Sequence, residues 1–274
     1  MSCLVYMDSS LRIIFWNTCG LNCPAKRSAV RSVICIVRPF VVCLQETKLS
    51  DVSPYLVADS LGHEFSSFYH LPADGTRGGI ILAWRPSEIS LTNPFIGAHF
   101  VAACATPPGF DSHWWITGVY GPQDEAGKTS MLADLSDFRA ARIGPWIMGG
   151  DFNMITSCAD KNNGNIDWAR VSLFNNAIAA ASLREAARTG ARFTWTNKQL
   201  RPVRSVLDRV FFTPEWEAIF PLCSLVAETR IGSNHLPLIF SSGEDSLRRN
   251  KRFYFETAWF EVEGFEPLVR ERWA

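Results

Sequence analysis

One unit recurs along this chain and limits what it can fold into: a short apolar run, rich in β-branched residues, that ends in a polar side chain. LRIIFWN closes on Asn17, FVVCLQE on Glu46, HWWITGVY on Tyr120 and PWIMGGDFN on Asp151 and Asn153, while GGIILAW closes on Trp84. Two later runs reverse the order, with Asp208 ahead of RVFFT and His235 ahead of LPLIF. Such runs read as strands buried on at least one face. Strands leaving toward a rim, and antiparallel strands entering from it, would gather these side chains along one edge. Between them, residues 24–37 read as a helix, with Pro24 in its first turn and Val30, Val33, Ile34 and Val37 at helical spacing. Residues 129–142 and 168–186 show similar spacing. Strands mixed with helices, several strands reversing, imply two packed sheets or one mixed sheet with helices outside.

A chain of 274 residues, 47% apolar and 20% charged, suits one large α/β domain. Lys plus Arg equals Asp plus Glu at 27 each, so a nucleic acid would have to meet a local basic surface. No apolar run reaches the about 18 residues that span a bilayer, and the N-terminus lacks a signal-peptide pattern. No membrane partner is expected, and an intracellular location, nuclear or cytoplasmic, is. The eight cysteines never form C-x-x-C; Cys35 in VICIV and Cys43 in FVVCLQ read as buried free thiols. Of the ten tryptophans most, such as Trp114, Trp115 and Trp146, fall inside apolar runs and read as core.

The polar residues at the strand ends carry the chemistry of phosphodiester hydrolysis. That reaction needs a divalent cation, a group that activates water, and donors for the transition state. Glu46 is a candidate hard-oxygen ligand for Mg²⁺, which takes few protein carboxylates and keeps several waters. Asp151 is a candidate water activator, preceded by two glycines that would let backbone approach a ligand. Asn153, two residues on and so on the same face if the strand continues, could donate to a phosphate oxygen. Asp208 and His235 could pair, the carboxylate fixing the imidazole tautomer and favouring its charge.

In order along the chain, W-N-T-C-G-L (16–21), L-Q-E-T-K (44–48), G-V-Y-G-P (118–122), G-G-D-F-N (149–153), L-D-R (207–209) and S-N-H (233–235) resemble the motifs of the endonuclease/exonuclease/phosphatase superfamily, which includes DNase I. Residues 159–164, 193–197 and 204–216, and the tail 252–273, are similar to the endonuclease of plant LINE-type non-LTR retrotransposons. The resemblance implies a DNase I-like four-layer α/β sandwich, two packed mixed sheets flanked by helices, with its site at the sheet ends. It implies Mg²⁺ or Mn²⁺ held by Glu46, with Asn17 orienting the phosphate or the neighbouring carboxylate and Asn234 beside the metal. Tyr120 would point at the phosphate or leaving group, Asp151 would deprotonate water, Asn153 would stabilise developing charge, and Asp208 would pair with a His235 imidazolium facing the phosphoryl oxygen. Double-stranded DNA is the implied substrate, nicked to leave a 3′-hydroxyl for target-primed reverse transcription. The implied partner is a downstream reverse transcriptase region of the same polyprotein, the endonuclease itself being a monomer.

Two positions depart from the family pattern. Asn234 stands where Asp is usual before the histidine, and Cys19 where many repair members carry Asp. Loss of carboxylate charge should weaken divalent binding. A catalytically degenerate remnant or DNA-binding module is therefore an alternative, as is a phosphatase or RNase with a non-DNA substrate. Residues 184–209 hold seven basic residues against two acidic ones. Within them 198–204 reads as a hairpin loop with Pro202 at its turn. Lys198, Arg201 and Arg204 are candidate DNA-backbone contacts there, or merely a solvated surface. The domain is expected to span 11–241, followed by a basic linker 242–252. The segment 253–274 has helical apolar spacing and either leads toward a missing region or docks back on the domain.

Overall fold

The structure, a computed structural model, describes residues 10–108 and 113–243, with Pro267 alone beyond them. Apart from residues 242 and 243 and Pro267, the predicted linker and C-terminal helical segment lie outside the described residues. In chain order the first half runs β1 (Arg12–Asn17), α1 (Pro24–Val37), β2 (Val41–Gln45), α2 (Pro54–Leu61), β3 (Ser67–Asp74), β4 (Arg77–Trp84), β5 (Ser90–Ile96), β6 (Phe100–Thr106), β7 (Trp114–Tyr120) and α3 (Glu125–Ala141). There follow β8 (Trp146–Asp151), α4 (Trp168–Ala180), β9 (Arg184–Glu185), β10 (Arg188–Gly190), β11 (Trp195–Thr196), β12 (Arg204–Ser205), β13 (Asp208–Phe212), α5 (Pro214–Ile219), β14 (Ser224–Ala227) and β15 (Leu238–Ser241).

Two mixed sheets form, ordered β10-β14-β15-β1-β2-β4-β3 and β5-β6-β7-β8-β13-β9, with β11-β12 as a separate ribbon. Side chains alternate along a strand, so each strand feeds two layers. Ile13 and Phe15, Val41 and Cys43, Ile116, Ile147, and Val210 and Phe212 pack in the core between the sheets. The alternate set, Ile14, Trp16, Val42 and Leu44, packs under α1 and α2 with Val30, Val33, Ile34, Val37 and Val57. Val119, Met148 and Phe211 pack under α3 and α4 with Met131, Leu135, Phe138 and Phe174. The result is the four-layer α/β sandwich that the resemblance implied.

Local chemistry sets the helix ends. Asp124 caps α3 by accepting from Gly127 N at 2.8 Å, and Asp167 caps α4 from Arg170 N at 3.1 Å. The helix expected over 129–142 starts four residues earlier, behind that cap. The helix expected over 168–186 stops at Ala180: Ser182 turns left-handed (φ 53°), and Arg184 and Glu185 pair with Phe212 and Phe211 at the sheet edge. Cys43 is buried as expected, but Cys35 is exposed, because VICIV lies on a helix whose buried face is Val33, Ile34 and Val37.

The glycines before Asp151 serve packing rather than ligand approach. A Cβ on Gly149 would sit 2.8 Å from the Phe15 ring of the facing sheet, and neither Gly149 nor Gly150 lines the cleft described below. Gly149→Ala is expected to overpack this contact and cost about 1–3 kcal/mol, read as a lower denaturation midpoint at an unchanged m-value.

Candidate active site

Register, rather than loop geometry, brings the polar strand ends together. Tyr120 on β7 pairs with Asp151 on β8, and Asp151 pairs with Asp208 on β13. Residues side by side in neighbouring strands point to the same face. Each also continues its strand's inner-face series: 116, 118, 120; 147, 149, 151; 212, 210, 208. In the facing sheet Asn17 extends the inner series of Ile13 and Phe15. The apolar core therefore ends in a layer of polar side chains at one end of the sandwich.

Within that layer Asn17 Nδ2 donates to Asp151 Oδ2 at 2.8 Å, across the two sheets. Asn17 Oδ1 accepts the Cys19 N–H at 3.0 Å, so its amide orientation is set on both sides. Asn153 N donates to Asp151 Oδ1 at 2.9 Å. His235 Nδ1 lies 3.0 and 2.9 Å from the two Asp208 carboxylate oxygens, and His235 Nε2 lies 3.7 Å from Asp151 Oδ2. Burial pushes the Asp151 carboxyl up to about 7, against the pull of His235. Burial alone would lower the His235 pKa, but the Asp208 and Asp151 carboxylates outweigh it and raise it to about 9. Burial, together with the Glu46 and Asp151 carboxylates, drives the Tyr120 phenol pKa upward, which leaves it a neutral donor.

A cleft opens beside this layer. Glu46, Tyr120, Asp151, Asn153, Lys198, Asn234 and His235 all line it. Asn17 and Asp208 stand buried behind it, holding Asp151 and His235 in place. Arg201 and Arg204 are exposed but do not line it. Asn153 is not a continuation of β8: the strand ends at Asp151, and Asn153 adopts φ 50° and donates through Nδ2 to Gly121 O at 2.6 Å. Of the eight non-glycine residues with positive φ among the described residues, five (Cys19, Glu46, Lys48, Asn153 and Lys198) line this cleft. Backbone strain of this kind concentrates where a site must be preorganised.

The residues sequence reasoning passed over are supports. Lys48 lies 3.1 Å from Glu46 and was present in the L-Q-E-T-K motif. Ser233 donates to Asn17 O at 2.7 Å and accepts His235 N at 3.1 Å, tying the end of β1 to the segment that leads into β15 in the same sheet. Thr194 Oγ1 accepts the N–H groups of Leu207 and Asp208. Buried Arg209 ties β13 to Asp160 and Glu185. These hydroxyls and the arginine bond to backbone or distant carboxylates and follow no sequence periodicity.

The 198–204 segment does close a hairpin, β11 pairing with β12, but its bends fall at residues 199–201 and Pro202 follows them. Asn197 Oδ1 accepts Gln199 N and Val203 N, and Asn162 braces the far side through Arg204 N at 2.8 Å and Pro202 O at 2.8 Å. The segments 159–164, 193–197 and 204–205, separate in sequence, thus form one hydrogen-bonded unit beside the cleft.

The donor set can hold a divalent ion. Glu46 offers a carboxylate at the cleft wall, and the Cys19, Glu46 and His235 donor atoms lie within 4.8 Å of one another.

The sequence matches the endonuclease/exonuclease/phosphatase family over residues 14–235, and the chain belongs to that family. Membership places it among hydrolases of phosphate esters. The fold is similar to AP endonuclease LMAP from Leishmania major (17% identity, TM-score 0.66, 85% of this chain and 88% of that one). It is also similar to the 3′ phosphatase NExo from Neisseria bound to product DNA hairpin (16%, 0.65, 84% and 98%). A third likeness is to the endonuclease domain of TRAS1, a telomere-specific non-LTR retrotransposon (13%, 0.63, 84% and 97%). At such identities these likenesses establish the fold alone. No curated protein sequence matches the chain. Among the described residues no helix is long and apolar enough to cross a membrane.

Proposed function

We propose that this chain is a Mg²⁺- or Mn²⁺-dependent endonuclease that nicks double-stranded DNA, of the kind LINE-type retrotransposons use to prime reverse transcription. The observation that carries the reading is the pair formed by Asp151 and His235, each held from behind by a second polar residue, at the mouth of a cleft walled by Glu46. Asp151 receives two N–H donors from the protein, which aim its carboxylate, and it is available to take a proton from water in its ionised form. His235 carries its charge because Asp208 lies against Nδ1, leaving Nε2 to face a phosphoryl oxygen. Tyr120 donates toward the same space. A divalent cation at Glu46, with Asn234 beside it, would offset charge on the phosphate. The DNA bound by the NExo phosphatase and the likeness to the TRAS1 domain support DNA as substrate. Trp195, its ring 6.5 Å from that of His235, gives the cleft an aromatic wall against which a base could stack.

The direct test is incubation of supercoiled plasmid with the purified chain and Mg²⁺ or Mn²⁺. Open-circle product is expected, and Asn234→Asp should lower the metal concentration needed by about tenfold, because a ligand regains its charge. Nicking by Asn234→Asp alone would identify a degenerate copy; silence in both would remove the endonuclease reading.

The basic hairpin is the proposed DNA contact, with Lys198 at the cleft and Arg201 and Arg204 reaching backbone further out. Replacing all three with alanine is expected to weaken binding evenly across sequences. It should also flatten the plot of log affinity against log salt by about 0.9 for each phosphate no longer neutralised. A slope unchanged from the native chain would leave the hairpin an ordinary solvated surface.

A further inference from the structure

The two positions that depart from the family pattern meet each other: the Cys19 sulfur lies against the Asn234 amide oxygen. The same sulfur stands within 4.8 Å of both a Glu46 carboxylate oxygen and a His235 ring nitrogen. We propose that Cys19, Glu46 and His235 form a site for a borderline-soft divalent cation of the zinc class, which overlaps the hard-cation and phosphate site and closes it when filled.

The ligand types argue for this ion. A thiolate and an imidazole select zinc over magnesium, which prefers carboxylate and water oxygens. Three protein ligands with a remaining position for water or the Asn234 oxygen match the coordination number zinc adopts. The imidazole is already arranged as a ligand: its Nδ1 is taken by Asp208 at 2.9 Å, which leaves Nε2 with its lone pair as the donor toward the cleft once the ring is neutral. The sulfur is held too. Cys19 adopts φ 52°, its N–H is fixed by Asn17 Oδ1, its carbonyl accepts from Lys26 Nζ, and its thiol faces the cleft wall formed by Ser233 and Asn234. Glu46 is likewise fixed at φ 50°. The three ligands come from the segments after β1, after β2 and before β15, so folding, not local sequence, assembles them. On binding, the thiol and the imidazolium each release a proton to solvent and no other bond changes. The filled site would remove the His235 charge and occupy Glu46, which blocks hydrolysis. That blocking half rests on the proposed function; the binding half does not.

Cobalt(II) titrated into the purified, reduced chain tests the binding half, because a cobalt–thiolate bond gives an intense near-ultraviolet charge-transfer band. The band is expected in the native chain, removable by stoichiometric zinc, absent in Cys19→Ser, and requiring about 100-fold more metal in Glu46→Gln. Absence of the band in the native chain, or its persistence in Cys19→Ser with unchanged affinity, overturns the proposal, and circular dichroism identifies a variant that has not folded. Exposed Cys23, Cys35 and Cys158 could bind cobalt singly, and such binding would be indifferent to Glu46→Gln, which also overturns the proposal. For the blocking half, zinc added to the Mg²⁺ nicking assay should stop the native chain at concentrations that displace cobalt. Relative to its own zinc-free rate, Cys19→Ser should need about 100-fold more. Nicking that continues in a zinc-filled native chain overturns that half. A chain that binds cobalt as described but never nicks overturns the proposed function and leaves the site standing.

Discussion

Asp151→Asn is expected to lower phosphodiester cleavage on the order of 1000-fold while the chain still folds. The substitution keeps shape and removes only the ability to take a proton. It also mispairs one donor, because Asp151 accepts Asn17 Nδ2 on one oxygen and Asn153 N on the other, and an asparagine has a single oxygen for the two. That mispairing should cost about 1–3 kcal/mol. A second readout reports the protonation of this carboxylate in the folded chain. The folded-state pKa of Asp151 is raised from 3.8 to about 7, so the native chain binds more protons than the unfolded one across that interval. Its stability contribution is therefore lost as pH rises from about 4 toward about 7. In metal-free protein, thermal melts of the native chain should fall over that window and those of Asp151→Asn should fall less. Near-native nicking by Asp151→Asn would remove Asp151 as the base, whatever the melts show.

The strands buried on both faces were legible because their composition leaves no other reading; β1, β2, β4, β7, β8, β13 and β15 all coincide with predicted runs. The edge strands were hidden by their own edge chemistry. β3 carries Pro72 and β5 carries Pro94, tolerated because each strand is the last in its sheet and one row of backbone donors is not needed there. β6 (FVAACAT) is mostly small residues, which carry a weak strand signal although the strand is buried almost throughout. At the site, Asn17, Tyr120, Asp151 and Asp208 shared a readable property: each ends an alternating inner-face series. No local pattern, by contrast, could show that Cys19 and Asn234 touch, or that Ser233 and Thr194 hold the strand ends, because those contacts join loop residues far apart in the sequence that meet only once their strands have paired.

Asp208→Asn is the second large effect expected, on the order of 100- to 1000-fold at neutral pH, because it acts through the charge of His235. The described contacts of the Asp208 side chain are with the His235 ring, and both residues are buried, so the substitution deletes one negative charge about 3 Å from the imidazole and little else. Asp208 and Asp151 together lift the His235 pKa from 6.5 to about 9, against burial, which lowers it. The stabilisation is fully present below the unfolded value of 6.5 and is lost as pH rises through about 9. Without Asp208 the ring should lose its proton at lower pH. The alkaline limb of the nicking profile should therefore move toward neutrality, and the metal-free melting temperature should lose the part of its decline that native protein shows between pH 6.5 and about 9. A merely structural Asp208 would lower the melting temperature alike at every pH and leave the alkaline limb in place. A profile that keeps its alkaline limb would therefore separate His235 from the reaction even if the overall rate fell.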